Sequence, residues 1–341
     1  MTVRLADHTT LGVGGPADVF VVTATEADLV AQVSRCDDDG NPVLILGGGS
    51  NIVCGDSGFC GTVIQASVKG LGIVEEYDHV IVTVGCGEPW DDLVAFTVSK
   101  GWAGIEAMSG IPGFVGATPI QNVGAYGQDV AGVISNVRVF DRDERMIRDL
   151  PPDECAFRYR GSALKDQLGR WVVLAVSFRL AKDPWSVVKY AQLAHTLGVE
   201  VGAAATCAAV RDAVLDLRRG KGMVLDAADP DTRSAGSFFT NPIVSSEVAA
   251  LLAPACPRYP ADRGVKVSAA WLIEQAGISP GWQLHRESGA RVSGKHSLAL
   301  TNAGDATTEQ VLDLARAIQR RVQERFGIGL VAEPTLVNCS L

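Results

Sequence analysis

LGGGSN, at residues 46–51, is the first stretch of this chain whose backbone could hold a ligand. It directly follows a strand pattern. Consecutive glycines expose main-chain N–H groups and let the chain approach a phosphate closely. The segment is not G-x-G-x-x-G and no acidic ribose partner is evident, which disfavours a Rossmann dinucleotide site. A second stretch, SGIPGFVGATPIQNVGAYG at residues 109–127, carries no charge and sets Thr118, Gln121, Asn122 and Tyr126 among glycines. Such a lining suits a flat heteroaromatic ring with a pyrophosphate tail: backbone packs on the ring while neutral donors read its carbonyls and phosphates.

The third stretch, RSAGSFFTNP at residues 233–242, places Ser237 between Gly236 and two phenylalanines. A serine in that setting is a candidate nucleophile. The segment is not the G-x-S-x-G elbow, however, and none of the five histidines has a partner identifiable by spacing, so serine-hydrolase chemistry is disfavoured. Single charges also stand near element ends: Arg160 in FRYRGS, Lys221 after a helix stop and Glu333 in LVAEP. Taken one at a time, the glycine segment reads as a plain turn, Ser237 as a turn hydroxyl and the charges as solvated, whereas a loop as long as 109–127 inside a compact domain reads as functional. Their combination asks for a common explanation.

The elements that must position them follow from periodicity. Strand patterns at 18–22 and 43–46 flank a helix pattern over 25–36, and further strands are expected at 61–65 and 80–84. A helix from about 90 to 100 stops at Gly101, a good residue to follow a helix end, and strands return at 133–140 and 171–180. The first half therefore reads as α+β with a mixed sheet and long glycine-rich connections. A second region begins near Asp183. Thr206 is placed to cap a helix through Arg219 that Gly220 would end. Another helix pattern covers 268–275, before Gly277. The clearest helix is 308–326, where Thr307 and Gln310 fit a capping box and Val311, Leu314, Ile318 and Val322 share a face. A strand pair near 328–331 and 335–338 closes the chain.

Composition narrows the classes. At 341 residues, 47% hydrophobic and 20% charged, the chain has globular composition and can bury a substantial core. A net charge of −9 argues against nonspecific nucleic-acid binding, which needs cations along the phosphates, but leaves an anionic small ligand open. The eight cysteines form no C-x-x-C pair, so buried reduced thiols are expected, with no metal site. MTVRLADHTT has no apolar core of a signal peptide, and the longest uncharged run, 107–128, is too rich in glycine to span a membrane. A cytoplasmic protein is expected.

In order along the chain, these segments resemble one family, the UDP-N-acetylenolpyruvoylglucosamine reductases (MurB). The resemblance runs through HTTLGVGGPADVF (8–20), LILGGGSNIV (44–53), residues 109–127, FRYRGSALK (157–165) and RRGKGMVLD (218–226). It continues in SAGSFFTNP (234–242), YPADRGVKVSAAWLIEQAG (259–277), KHSLALTN (295–302) and FGIGLVAEP (326–334), so it covers essentially the whole chain. GGGSN recurs in related flavoproteins, whereas IPG-x-x-GATPIQNVGAYG followed by AGSFF-x-NP is highly specific. Two positions depart from the pattern: Ala332 stands where a proline often precedes the catalytic Glu, and Asn338 where a glycine is common.

The resemblance implies an α+β fold, with vanillyl-alcohol-oxidase-type FAD-binding domains followed by a C-terminal α+β substrate-binding domain. The implied division is 1–67, with strands 328–341 as candidates to return to it, then 68–205, then 206–327. Noncovalent FAD would fall on Gly47, Gly49, Ser50, Asn51, Thr118, Pro119, Gln121, Asn122 and Gly124, with Arg218 near the flavin or nucleotide. The catalytic trio would be Arg160, Ser237 and Glu333. Tyr190, Lys221, Asn241 and Tyr259 would contact substrate, with Tyr190 in VVKYAQL matching the subclass that closes a tyrosine-bearing loop over the uridine diphosphate. The implied reaction draws hydride from NADPH and reduces UDP-N-acetylglucosamine enolpyruvate to UDP-N-acetylmuramate, a cytoplasmic step of peptidoglycan precursor synthesis carried out by a monomer.

Two rival readings have distinct signatures. A flavin oxidase of the same superfamily often links its flavin to His or Cys, and no His lies in 46–51 or 109–127. An inactive flavin- or uridine-nucleotide-binding module predicts loss of Arg160, Ser237 or Glu333, and all three are present.

Overall fold

The computed structural model describes residues 2–261 and 263–341. Its chain divides into two compact units, one of Met1–Pro16, Gly49–Phe59 and Leu225–Leu341, the other of Ala17–Gly48 and Cys60–Val224. Residues 206–224, on the C-terminal side of the expected boundary, therefore belong to the second unit.

In that second unit a five-stranded antiparallel sheet runs in the order Met146–Leu150, Ile134–Asp141, Trp171–Ala181, His79–Gly85, Leu71–Glu75. Its register pairs Val176 with Val84 and Phe178 with Val82. Because side chains alternate along a strand, this puts Val80, Val82, Val84, Val176, Phe178 and Leu180 together in one core. Helix Glu26–Asp38 adds Leu29 and Val33, and helix Trp90–Ser99 adds Trp90, Leu93 and Val94. Thr25 caps the first of these helices through the N–H of Asp28, and Gly101 takes the left-handed conformation (φ 69°) just after the second. A smaller core of Ala107, Val188, Leu193, Val210 and Val214 seats helices Ala191–Leu197 and Cys207–Gly220. The edge strand Leu71–Glu75 has no counterpart in the sequence patterns, since it is exposed on both faces.

Helix Cys207–Gly220 corrects one expectation. Thr206 does cap it, but Gly220 is its last helical residue rather than its terminator. The left-handed position falls on Gly222 (φ 65°), with Met223 N–H bonded to Arg218 O and Gly222 N–H to Arg219 O, the double bond of a Schellman end. Lys221 thus becomes the C-cap, and Arg218 lies in the last turn.

The first unit packs around helix Thr308–Phe326, whose Val311, Leu314, Ile318 and Val322 are all buried and whose Thr307–Gln310 capping box is formed. Its N-terminus also donates two hydrogen bonds to a residue distant in sequence, since Asp56 accepts the N–H groups of Thr308 (2.8 Å) and Glu309 (3.1 Å). The expected closing hairpin does not form. Thr335–Val337 instead pairs in parallel with Ile52–Cys54. Residues 328–331 are not a strand, because Leu330 O accepts from Gln319 Nε2 and Val331 O from the Thr240 N–H. Asn338 occupies a left-handed position (φ 52°), which explains a glycine there, and its Nδ2 donates to Gly58 O at 2.9 Å.

Six cysteines are buried, whereas Cys60 is exposed and Cys339 half-buried, contrary to the expectation for all eight. Burial pushes the thiols of Cys54, Cys86 and Cys207 up to about 12, so they are poor nucleophiles and metal ligands. Among the described residues no helix is long and apolar enough to cross a membrane. The distant cap yields a prediction. Asp56→Ala should destabilise the chain by about 1 kcal/mol, read as a lower urea midpoint with unchanged slope, and Asp56→Asn should recover part of it.

Candidate active site

The loop 109–127 sits in the second unit and is built from close backbone approaches. A Cβ on Gly48 would lie 2.8 Å from the Cα of Gly113, so the glycine loop and the uncharged loop meet main chain to main chain. Gly47 beside it meets nothing closer than 3.9 Å, the Cβ of Ala117. A Cβ on Gly124 would be 2.7 Å from Gln128 O, which fixes glycine at the start of the hairpin Gly124–Ala125 and Gln128–Asp129. Asn122 (φ 47°) and Tyr126 (φ 48°) are held in the left-handed region, where non-glycine residues are strained.

Thr118 and Pro119 are buried in this loop, and Gln121 is half-buried. The Thr118 hydroxyl donates to Val115 O at 2.8 Å, leaving its oxygen as an acceptor. Asn122 is 6% exposed and both ends of its carboxamide are engaged: Nδ2 donates to Arg158 O, and Oδ1 accepts the Ala131 N–H at 3.0 Å. Its side chain therefore braces the loop.

Arg160 stands at the tip of a tight turn in which Arg158 and Gly161 exchange backbone hydrogen bonds. It too is left-handed (φ 53°). Its Nη2 donates to Gly124 O at 2.9 Å and its Nη1 to Asn122 O at 3.5 Å. This anchoring fixes a planar guanidinium, the group whose fork suits a carboxylate, at the end of the loop.

Beyond the loop lies a cation cluster. Arg218, half-buried, donates through Nη2 to Met223 O at 2.8 Å, and among the described residues its buried Nε finds no acceptor. Lys221 Nζ donates to Gln192 Oε1 at 3.0 Å and lies 5.7 Å from the centre of the Tyr126 ring. Tyr126 meets Tyr190 edge to face, with ring centres 5.6 Å apart. Among the described residues neither cation forms an ion pair, because Asp91 is taken by both forks of Arg211 (2.7 and 2.8 Å) and by the Gly110 N–H. Burial lowers the Arg218 pKa to about 10. Lys221 is also lowered, first by burial and then by the Arg218 charge. Two partly desolvated cations without a counter-ion are a receptor for a polyanion. Tyr126 is one of the neutral groups that the sequence marks in this loop; Gln192 and Arg211 carry no such signal.

Other predicted residues gather in the first unit. Gly49 is left-handed (φ 63°), and a Cβ there would fall 1.9 Å from His8 O. Ser50 O is 3.5 Å from the Thr10 hydroxyl, which donates at 2.7 Å to Ser234 O. Asn51 Nδ2 donates to Glu333 O at 3.4 Å. Ser237 ends the strand Ser234–Ser237, opposite Ala299 and after the left-handed Gly236. The Glu333 N–H donates to Phe238 O at 2.9 Å and Ala332 bridges Phe239, so the backbone of Glu333 is fixed beside that of Ser237 despite the alanine at 332. Asn241 Oδ1 accepts the Ala269 N–H at the start of helix Ala269–Gln275. Tyr259 pairs with Lys266, whose Nζ is 5.8 Å from its ring centre.

Comparisons with known proteins agree in direction. Residues 229–337 match the family model for the C-terminal domain of UDP-N-acetylenolpyruvoylglucosamine reductase, and residues 17–149 match an FAD binding domain. A UDP-N-acetylenolpyruvoylglucosamine reductase of Thermobifida fusca (strain YX) is 51% identical over 99% of this chain and 98% of its own. One of Salinispora arenicola (strain CNS-205) is 51% identical over 99% of this chain and 95% of its own. The crystal structure of such a reductase from Thermus caldophilus superposes with a TM-score of 0.67 at 26% identity, covering 99% of this chain and 98% of that one.

The cation cluster predicts a pH dependence. An anion that binds there restores the depressed pKa values, so binding must draw protons from solution. Affinity for inorganic pyrophosphate should fall as pH rises into the alkaline range, where the lowered ammonium of free Lys221 loses its charge before an ordinary lysine would. Calorimetry in buffers of different ionisation enthalpy should show proton uptake that shrinks in Lys221→Met. A pyrophosphate affinity independent of pH over that range would contradict the assignment.

Proposed function

The chain belongs to the UDP-N-acetylenolpyruvoylglucosamine reductase family, and on that premise we propose how its own residues reduce UDP-N-acetylglucosamine enolpyruvate to UDP-N-acetylmuramate. It is an FAD-dependent oxidoreductase that uses NADPH, working in peptidoglycan precursor synthesis. The residues present fit FAD. Gly48 and Gly113 approach too closely for any side chain, Gly47 has room beside it, and the 109–127 lining carries no charge to clash with a neutral ring. In this reading Gly47, Gly49, Ser50, Asn51, Thr118, Pro119, Gln121, Asn122, Gly124 and Arg218 hold FAD without a covalent bond. Bound there, FAD would supply the redox chemistry, as the hydride carrier between NADPH and the enolpyruvyl group.

The protein's part is binding, charge and a proton. An enolpyruvyl ether is CH2=C(OR)–COO⁻, so hydride arriving at the CH2 end pushes charge onto the carboxylate. Arg160, already anchored at Gly124 O, brings its guanidinium charge to that carboxylate and needs no reorganisation as the charge grows. Glu333 shares a proton with the same charge, and Ser237 delivers a proton to the ether-bearing carbon. A serine hydroxyl is a weak acid, but a carbanion is basic enough to take its proton. Lys221 and Tyr190 hold the diphosphate, with Asn241 and Tyr259 as further substrate contacts. The two phosphorylated co-substrates are cytoplasmic metabolites, and the enzyme is read as a cytoplasmic monomer that binds neither nucleic acid nor membrane.

One observation carries this reading furthest: among the described residues Arg218 and Lys221 form no ion pair, and they stand beside Tyr126 and Tyr190 at the end of the uncharged loop. Ser237→Ala tests the chemistry by splitting the reaction. FAD in the variant should still be bleached by NADPH near the wild-type rate, because that half needs no proton at the substrate carbon. Reoxidation by the enolpyruvyl substrate should slow by about 10²-fold or more, the usual worth of a positioned acid. Equal slowing of both halves in rapid mixing would make Ser237 a structural residue instead.

A further inference from the structure

The 109–127 loop leaves and rejoins its unit at Ser109 and Gln128, and a fully buried carboxylate closes it there. Glu106 Oε2 accepts the Gly104 N–H at 2.7 Å, and its Oε1 accepts Nε2 of Gln128 at 2.5 Å. Gln128 Oε1 in turn accepts the Ala107 N–H at 2.8 Å, and the Ser109 hydroxyl donates to Glu106 O at 2.6 Å. Glu106 has 0% exposure, and among the described residues no Lys or Arg pairs with it. A buried carboxylate matched only by neutral donors is an expensive choice for packing alone, which a hydrophobic residue would serve better.

We propose that Glu106 and Gln128 are positioning residues for the cofactor, a carboxylate–carboxamide clasp that fixes the spacing of the two loop stems and so keeps the loop in the shape that takes FAD. The proposal rests on the reading above that this loop holds FAD. Donor counting makes the clasp polar in one sense. The N–H groups of Gly104 and Ala107 each need an oxygen, and the two side chains must also bond one another. With Glu at 106 and Gln at 128 every donor has an acceptor. In Glu106→Gln, satisfying both backbone N–H groups turns two NH2 groups against each other, whichever way the amides flip. In Gln128→Glu, two carboxylates face each other and can settle only by sharing a proton. The exchanged pair, Glu106→Gln with Gln128→Glu, satisfies all donors again with the charge moved across.

Two other groups face the clasp. The Ser186 hydroxyl lies 3.5 Å from Gln128 Nε2. The Cys207 thiol is pushed up to about 12 by burial and then by the Glu106 charge, so it stays neutral at working pH. Neither can replace the missing acceptor.

The test is the affinity of apo-protein for FAD, measured by quenching of FAD fluorescence, with amide hydrogen exchange at Gly104 and Ala107 as the local readout. A clasp that holds the loop in its competent shape sets the apparent Kd through the competent fraction. Glu106→Gln should weaken FAD binding by about tenfold or more and speed exchange at both amides. Gln128→Glu should bind weakly at neutral pH and recover as pH falls and the carboxylates share a proton. The exchanged double variant should return to within about threefold of wild type. A pair that merely supported the fold would lower the urea midpoint of the variants while the folded protein kept the wild-type affinity for FAD. If Glu106→Gln does not fold, Gln128→Glu compared with itself at two pH values still decides. Single variants that bind FAD like wild type, or an exchanged pair no better than either single, would overturn the proposal alone. Wild-type protein that takes up no FAD would remove the functional reading and the clasp's role together.

Discussion

An uncharged loop of small side chains gains little from burial, and its buried backbone groups must still find partners. Residues 109–127 meet that constraint by hydrogen bonds to fixed points. Trp90 holds both flanks of the first bend, its ring Nε1 donating to Met108 O at 3.0 Å and its backbone N–H to Gly113 O at 2.9 Å. Asp91 takes the Gly110 N–H at 2.6 Å, and Cys86 O takes the Gly116 N–H at 2.9 Å. Farther along, the Ser162 hydroxyl donates to Ile120 O at 2.5 Å, and Asn122 braces the loop against Ala131. The strained residues Asn122, Tyr126 and Arg160 persist because these bonds over-determine them. Everything attributed to the loop, from the glycine contact with Gly48 to the aim of Arg160, depends on its keeping this one shape.

The electrostatics of the same unit depend on a pairing that is not made. Asp91 sits close enough to Arg218 to raise its pKa, yet its carboxylate is spent on the fork of Arg211 and on Gly110. Had it bonded Arg218 directly, only Lys221 would remain as an unpaired cation of the cluster, a poorer match for a diphosphate. The Schellman end at Gly222 matters for the same reason, because it sets Lys221 as the C-cap and Arg218 in the last turn, where the helix carbonyls favour cations. Tyr126 then offers its ring face to Lys221, which tolerates a charge that burial disfavours.

Local chemistry made much of this visible in advance. The helix at 308–326 could be read because its cap and its period are both contained in its own residues. The end of the helix beginning at Cys207 was misplaced by one step, since either Gly220 or Gly222 could serve, and only the backbone bonds choose between them. The parallel partner of Thr335–Val337 lies at Ile52–Cys54, too far along the chain for any window to connect. Long-range pairing also gathers residues near 10, 50, 237 and 333 in one unit. At the site, residue types marked Arg160, Lys221 and the glycines, and family resemblance gave them roles. Glu106, Gln128, Asp91 and Arg211 were silent, because a buried carboxylate or carboxamide has no sequence signature until its donors are seen.

The central claim is that this chain uses NADPH to reduce an enolpyruvyl ether on a nucleotide sugar. Its most direct measurement is NADPH consumption by the FAD-loaded protein with and without UDP-N-acetylglucosamine enolpyruvate, under anaerobic conditions, with the product followed by mass. Steady consumption that requires the substrate, matched mole for mole by a product two hydrogens heavier, is the expected result. NADPH consumption that stops after one equivalent of FAD whether or not substrate is present would contradict it.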